Sequence, residues 1–177
     1  MRLESAHLVL TPIQFTDAND IHQAIRESIT DLKTQFVWAE EPYTLRHAQT
    51  LVQESVANQR EGKALTFGIR SKTGRMLGAL SVHEVPDMLG KKVPMHKIEV
   101  WIRQSDQNQG FWAEALQVAT DAIIKSLGSR RVFAHVLSPE VAKIYQNAGY
   151  QLEATLTNAH MGEGGQPAPV MIMAKTA

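Results

Sequence analysis

Apolar residues recur along the chain in two periods, and the period of each stretch predicts its secondary structure. His7–Ile13 alternates and is rich in leucine, which predicts an opening strand. Thr16 is expected to cap a first helix, whose apolar residues at helical spacing are Ile21, Ala24, Ile25, Ile29 and Leu32. Thr44 is expected to cap a second helix, whose apolar stripe is Leu45, Ala48, Leu51, Val52 and Val56. The first third of the chain therefore predicts one strand and two helices.

Three strands are predicted in the middle of the chain, at Leu65–Arg70, Met76–Glu84 and Lys97–Arg103. The sequence Lys72-Thr73-Gly74-Arg75 between the first two is a turn signal, which predicts a hairpin. A third helix is expected after Gly110, with a face suited to close packing on a sheet that carries Ala115, Ala119, Ala122 and Ile123.

The last third predicts a strand at Arg131–Leu137 and then a helix with Ser138 as N-cap and Pro139 at its first position. Gly149 is placed to end that helix in a left-handed conformation. Two closing strands are expected, at 151–156 and 170–175, joined by a loop over 161–167. The element order β-α-α-β-β-β-α-β-α-β-β predicts a mixed α/β sheet flanked by helices, in one domain that spans residues 1–177.

Composition and charge exclude several classes of function. The 177 residues include 18 basic and 18 acidic side chains, so the net charge of zero gives nonspecific nucleic-acid binding no driving force. The chain has no cysteine, which excludes disulfides, thiolate metal sites and a cysteine nucleophile and is compatible with the cytoplasm. The seven histidines show no metal-ligand spacing, and no apolar run is long enough to span a bilayer, so neither a metal nor a membrane is expected.

The stretch Glu99–Ala115 carries the clearest chemical signal, because it reads as a strand, a short polar loop and a helix that opens at Gly110. The first N–H groups of a helix have no intrahelical acceptor, and the helix dipole adds positive charge there. A phosphate is the usual occupant of such a site, and a glycine lets the backbone approach its oxygens. A polar loop that only caps a helix would show the same pattern.

This loop resembles the acyl-CoA motif of the GNAT acetyltransferase superfamily, Q/R-x-x-G-x-G/A. Gln107 and Gly110 match the motif, whereas Trp112 stands where a small residue is usual. Two further segments agree: 144–150 resembles the family segment Y-E-K-L-G-F, and 8–12 resembles the family start L-x-L-R-P. The resemblance implies a GNAT fold with acetyl-CoA as co-substrate.

Within that superfamily the first helices resemble the branch that acetylates the N-terminal alanine or serine of ribosomal proteins. Ser28, Leu32 and Trp38 carry this resemblance and are implied to contact the acceptor, with a groove completed by the loop over 85–93. The cofactor-binding residues implied by the resemblance are Trp101, Ile102, Arg103, Gln107, Asn108, Gln109, Gly110, Phe111, Trp112 and Ser138.

Two residues are candidates for catalysis of acetyl transfer. Tyr145 matches a family tyrosine that points at the thioester sulfur, where a phenol could protonate the leaving thiolate; a tyrosine packed in the core is the alternative. Glu99 matches a family glutamate on the strand before the loop and could accept the amine proton if its pKa were raised. Pairing of Glu99 with His96 or Lys97 is the alternative.

The sequence is therefore identified as a cytoplasmic GNAT N-acetyltransferase, monomeric or homodimeric, that acts on a protein or peptide N-terminus. The acetyl group would pass directly from acetyl-CoA to the amine in a ternary complex. A small amine or amino acid is an alternative acceptor. A degenerate domain that binds acyl-CoA or a partner without turnover is the other alternative, supported by Trp112, Ser138 and Val141, which depart from the family pattern.

Overall fold

The computed structural model describes residues 1–86, 93–162 and 164–177. Its eight strands are β1 (Leu3–Glu4), β2 (Leu8–Pro12), β3 (Ala64–Ser71), β4 (Met76–Val85), β5 (Met95–Ile102), β6 (Arg131–Val136), β7 (Gln151–Met161) and β8 (Pro167–Thr176). Its α-helices are α1 (Ala18–Leu32), α2 (Leu45–Arg60), α3 (Phe111–Leu127) and α4 (Pro139–Asn147). The predicted order is confirmed, with β1 added. Most of the loop over 85–93 lies outside the described residues.

Local sequence signals set most helix ends. The Thr44 side chain accepts the His47 N–H at the start of α2, and the Ser138 side chain accepts the Val141 N–H at the start of α4, both as expected. The expected cap at Thr16 is wrong. A 3₁₀ turn over Phe15–Asp17 precedes α1, and the Asp17 carboxylate accepts the Gln14 N–H because it is held in place by Arg70 from β3.

The strands form one mixed sheet in the order β1-β2-β3-β4-β5-β6-β8-β7. Among the described strands, β5 and β6 are the one parallel pair of neighbours, because α3 returns the chain to the end of the sheet at which β5 begins. One face packs against α1 and α2, with a core that includes Ile25, Val52 and Trp101. The other face packs against α3 and α4. Among the described residues, no helix is long and apolar enough to cross a membrane.

Strands β4 and β5 approach each other unusually closely at Gly78, which pairs with Ile102. A Cβ atom placed at Gly78 would lie 2.0 Å from the Trp101 carbonyl oxygen. Backbone on a central strand cannot move aside without disturbing its own ladder. Glycine at this position therefore fixes the path of β5, the strand that borders the site described below.

Gly78→Ala is expected to lower the free energy of unfolding by about 1–3 kcal/mol, because the added methyl group overpacks a backbone contact. Denaturant unfolding followed by circular dichroism measures this loss. Gly68→Ala on β3 is the matched control, since its Cβ would meet the flexible end of Met76 at 3.0 Å rather than backbone. Equal losses in the two variants would contradict the argument.

Candidate active site

The two parallel strands of the sheet separate partway along their length. β5 and β6 pair from Met95 opposite Arg131 to Lys97 opposite Phe133, and the described pairing between them ends there. β5 itself continues to Ile102 along β4. The second half of β5 therefore has a strand on one side and an opening on the other.

The hydrogen-bond phase of β5 determines which backbone groups face this opening. The Arg103 N–H donates to the Leu77 carbonyl over 2.7 Å, so Trp101, two residues earlier, also belongs to a pair bonded toward β4. Val100 and Ile102 alternate with these residues and turn their N–H and C=O groups away from β4. The Arg103 carbonyl accepts the Asp106 N–H, and Trp101 is turned toward β4, so the expected pairing of these two backbones with the cofactor is not available at the opening.

A cavity of about 430 Å³, the strand cleft, occupies the opening between β5 and β6. Its lining includes Val100, Glu99, Trp112, His135, Tyr145 and His160. Tyr145 comes from α4, is 3% exposed, and packs edge-on against the Tyr150 ring at 5.2 Å between centroids. Burial raises the pKa of the Tyr145 phenol far above its usual value, so the hydroxyl keeps its proton. The expected acid therefore lies within the cleft in its protonated form.

The start of α3 carries the predicted anion site. Gly110 adopts φ 77°, in the left-handed region, and the first helical hydrogen bond runs from the Glu114 N–H to the Gly110 carbonyl. The N–H groups of Phe111, Trp112 and 113 consequently have no acceptor within the helix. A Cβ at Gly110 would meet no atom within 4 Å, so the helix end opens onto free space.

The loop before α3 is held by α1 instead of being free to wrap a ligand. The Gln104 N–H donates to the Ser28 hydroxyl at 2.9 Å, and the Ser105 N–H donates to the Glu27 carboxylate at 3.0 Å. Ser28 is 1% exposed, so the expectation that it contacts the acceptor is wrong. Its position four residues after Ala24 on the apolar stripe was a signal of burial.

The side chains of the loop also bond within the protein. Gln107 donates to the Ile102 carbonyl at 3.2 Å and to Asp31 at 3.4 Å, and Gln109 donates to Asp106 at 3.2 Å. Asn108 is exposed, and Phe111 is partly buried against the core. Arg103 is 2.7 Å from Glu27, so its charge is paired within the protein. Anion binding would therefore rest on the backbone N–H groups.

The two departures from the family motif have structural explanations. Trp112 is 5% exposed and belongs to the core cluster on the α3 face of the sheet, so its side chain points away from the helix end. Its indole N–H is buried without a hydrogen-bond partner, and other atoms of the residue line the strand cleft. Ser138 uses its hydroxyl to cap α4.

A second cavity, the helix cavity, has a volume of about 410 Å³ and lies between α2 and the β3–β5 face of the sheet. Its lining includes Phe36, Trp38, Tyr43, His83, Glu99 and Trp101. Phe36, Trp38 and Glu99 also line the strand cleft, so the two cavities meet at these side chains. Trp38 therefore lies where an acceptor contact was expected, whereas Leu32 is 2% exposed in the core and cannot make one.

Glu99 stands at the junction in an ionised state. Its carboxylate lies 3.6 Å from His83 Nε2 and 2.7 Å from Lys97 Nζ. The His83 hydrogen bond and then the Lys97 contacts lower the pKa of Glu99 to about 2, against the opposing effect of burial. The expectation of a raised pKa is wrong, and the partner from β4 was not foreseen. His83 follows Ala79 and Ser81 at alternate positions on β4, which was the available signal.

Among the described residues, no group of three metal-ligating side chains could hold a metal ion. The arrangement instead offers an opened strand edge, an anion-binding helix end, a buried phenol and a carboxylate between two cavities. These features can hold a long ligand with an anionic end along β5 and a second reactant beside Glu99.

Comparison with known proteins identifies a family. The family model described as an acetyltransferase (GNAT) domain matches residues 7–151. No protein of curated function matches the sequence significantly.

Several solved structures share the fold. A RimL ribosomal L7/L12 α-N-protein acetyltransferase in complex with coenzyme A superposes with a TM-score of 0.87 at 19% identity, over 99% of this chain and 98% of that one. The microcin C7 self-immunity acetyltransferase MccE, in complex with acetyl-CoA and AMP, superposes with a TM-score of 0.84 at 16% identity, over 98% of this chain and 94% of that one. A ribosomal-protein-S5-alanine acetyltransferase from Vibrio fischeri superposes with a TM-score of 0.83 at 15% identity, over 99% of this chain and 96% of that one.

Proposed function

Since this chain belongs to the GNAT acetyltransferase family, we propose that it transfers the acetyl group of acetyl-CoA to the α-amine of a protein or peptide N-terminus. The carrying observation is the opening between β5 and β6, which combines an unused strand edge with the N-terminus of α3 and Tyr145. The similar structures support the same assignment, because they include complexes with coenzyme A and acetyl-CoA and two ribosomal-protein acetyltransferases.

Acetyl-CoA fits the strand cleft chemically. The N–H groups at the start of α3 would hold the pyrophosphate, and the Val100 backbone groups would pair with the amides of the pantetheine arm as an added strand does. The thioester would then lie near Tyr145 and Glu99. The phenol of Tyr145 would protonate the departing thiolate, and the charged Glu99 would stabilise positive charge on the attacking nitrogen.

The helix cavity would hold the acceptor, because it meets the strand cleft at Glu99 and Trp38. An α-amine has a pKa near 8, whereas a lysine side chain has one near 10.4, so the α-amine yields its proton more easily at neutral pH. An aromatic or aliphatic amine of small size is the second candidate acceptor. Two observations favour a small amine: the stacked rings of Phe36 and Trp38, whose centroids are 5.2 Å apart, and the volume of the cavity that they line.

Acetyl-CoA at 100 times its dissociation constant is expected to stabilise the protein by about 2.7 kcal/mol, which is roughly a 5–10 °C rise in Tm. Differential scanning fluorimetry measures the rise. Adenosine is the control ligand, because it lacks the pyrophosphate and the pantetheine arm. An equal rise with both ligands, or none with acetyl-CoA, would contradict the cofactor site.

Release of the coenzyme A thiol identifies the acceptor. The screen compares peptides with free N-terminal alanine or serine, the same peptides with a blocked N-terminus and one internal lysine, spermine, and small aromatic amines. The free peptides are expected to react fastest. Faster turnover of blocked peptides, spermine or small amines would reject the N-terminal assignment.

A further inference from the structure

The state of Glu99 leaves the attacking amine without a good proton acceptor. A group that titrates near the working pH serves best, because it must both take a proton and be unprotonated beforehand. A carboxylate whose pKa is about 2 is unprotonated at pH 7 but returns any proton at once. A neighbouring group that titrates closer to neutral pH would take the proton more readily.

His83 is placed for that task. Ser81 on β4 lies directly opposite Glu99 on β5. His83 is two residues further along β4, so its side chain is on the same face of the sheet. His83 Nε2 lies 3.6 Å from the Glu99 carboxylate, and the side chain is 40% exposed. Both residues line the helix cavity. Imidazole is the side chain whose ordinary titration falls nearest neutral pH.

We propose that the imidazole of His83 accepts the proton of the attacking amine and that Glu99 is a positioning residue that orients the ring. Nε2 is the ring nitrogen that lies toward Glu99, at 3.6 Å, so the tautomer with its hydrogen on Nε2 would offer the lone pair of Nδ1 to the amine. The proposal rests on the acetyl transfer described above and adds the residue that performs proton removal.

The electrons and protons of the step balance. The amine lone pair forms the C–N bond while the carbonyl π pair moves to oxygen, and the N–H proton passes to His83. The C=O bond re-forms as the C–S bond breaks, and the thiolate takes a proton from Tyr145. Solvent exchange then moves one proton from the imidazolium to the tyrosinate, so the products are the acetylated amine and free coenzyme A.

The neighbouring ionisable groups distinguish His83 from the other histidines. Lys97 is the cross-strand partner of His83 on β5, and its ammonium lies 2.7 Å from Glu99 and keeps that carboxylate charged. Glu40, Glu54 and His47 line the same cavity, but His47 Nδ1 already accepts the Thr44 N–H at the cap of α2.

His135 is the competing base because it lines the strand cleft near the junction. Burial and then the Lys97 charge lower its pKa. However, it does not line the helix cavity, where the acceptor would bind.

The pH dependence of kcat/KM for the acceptor peptide tests the assignment from pH 5.5 to 9.5. The wild type is expected to lose activity on the acidic side with a slope of two, because both the α-amine of the acceptor and the accepting imidazole must be unprotonated. His83→Gln is expected to lose about tenfold or more at pH 7 and to show a slope of one instead of two on the acidic side, because only the α-amine of the acceptor still titrates, with unchanged affinity for acetyl-CoA. Glu99→Gln is expected to lower kcat/KM but to keep the slope of two on the acidic side, because it removes the partner that orients the ring and leaves the accepting imidazole in place.

His135→Gln is the competing variant and is expected to keep the slope of two. A slope of two retained by His83→Gln, or one lost only in His135→Gln, would overturn the proposal. A Tm rise with acetyl-CoA shows that each variant is folded with an intact cofactor site. Failure of the wild type to release thiol with any amine would instead reject the proposed function, so the two failures are distinguishable.

Discussion

Replacing Tyr145 with phenylalanine is expected to lower kcat by about 100-fold or more and to leave the affinity for acetyl-CoA nearly unchanged. The phenol keeps its proton because burial raises its pKa, so it can act only as a donor at neutral pH. Phenylalanine retains the edge-on packing against Tyr150 at 5.2 Å. The change therefore removes an interaction needed when the thiolate leaves, without opening a cavity.

Pre-steady-state kinetics measures this effect on the chemical step, and calorimetry measures the affinity. Tyr150→Phe is the matched control, because it removes the partner of a 2.5 Å hydrogen bond with Thr120 in the same core. That variant is expected to lose stability while keeping most of its kcat. An unaltered chemical step in Tyr145→Phe would assign Tyr145 to packing alone.

Gly110→Val is expected to weaken acetyl-CoA binding by about 100-fold or more. The branched side chain would project into the open space before α3, where the pyrophosphate would contact two or three backbone N–H groups. Hydrogen bonds to charged groups contribute about 1.5–3 kcal/mol each, so loss of two accounts for the expected change.

Gly128→Val separates this effect from backbone strain. Gly128 ends α3 with φ 64°, close to the 77° of Gly110, and an added Cβ would also meet no atom within 4 Å. Both variants are expected to lose stability, but only Gly110→Val should lose affinity in calorimetric titration. Comparable affinity in the two variants would place the pyrophosphate elsewhere.

The sequence predicted the elements whose signals are local. Ser138 caps α4 as expected, and Gly149 follows that helix with φ 87°. Thr16 failed as a cap because its neighbour Asp17 is held by Arg70 from β3, a contact between residues 53 apart. Such a contact leaves no mark on the local pattern.

The site was predicted by location better than by role. Tyr145 lines the strand cleft, and Trp38 and Glu99 line both cavities. The raised pKa of Glu99 could not be tested from sequence, because it depends on His83 from the neighbouring strand. Leu32 lies on the apolar stripe of α1, and the helical period gave enough information to place it in the core.

The interrupted ladder between β5 and β6 has a consequence for the unliganded molecule. A strand edge with unused N–H and C=O groups is a template for pairing with another chain. The same backbone at Val100 that accepts a ligand is therefore open to any extended peptide when the cleft is empty. On the proposed assignment the co-substrate would complete the sheet, and its binding would also protect the protein from self-association along β5.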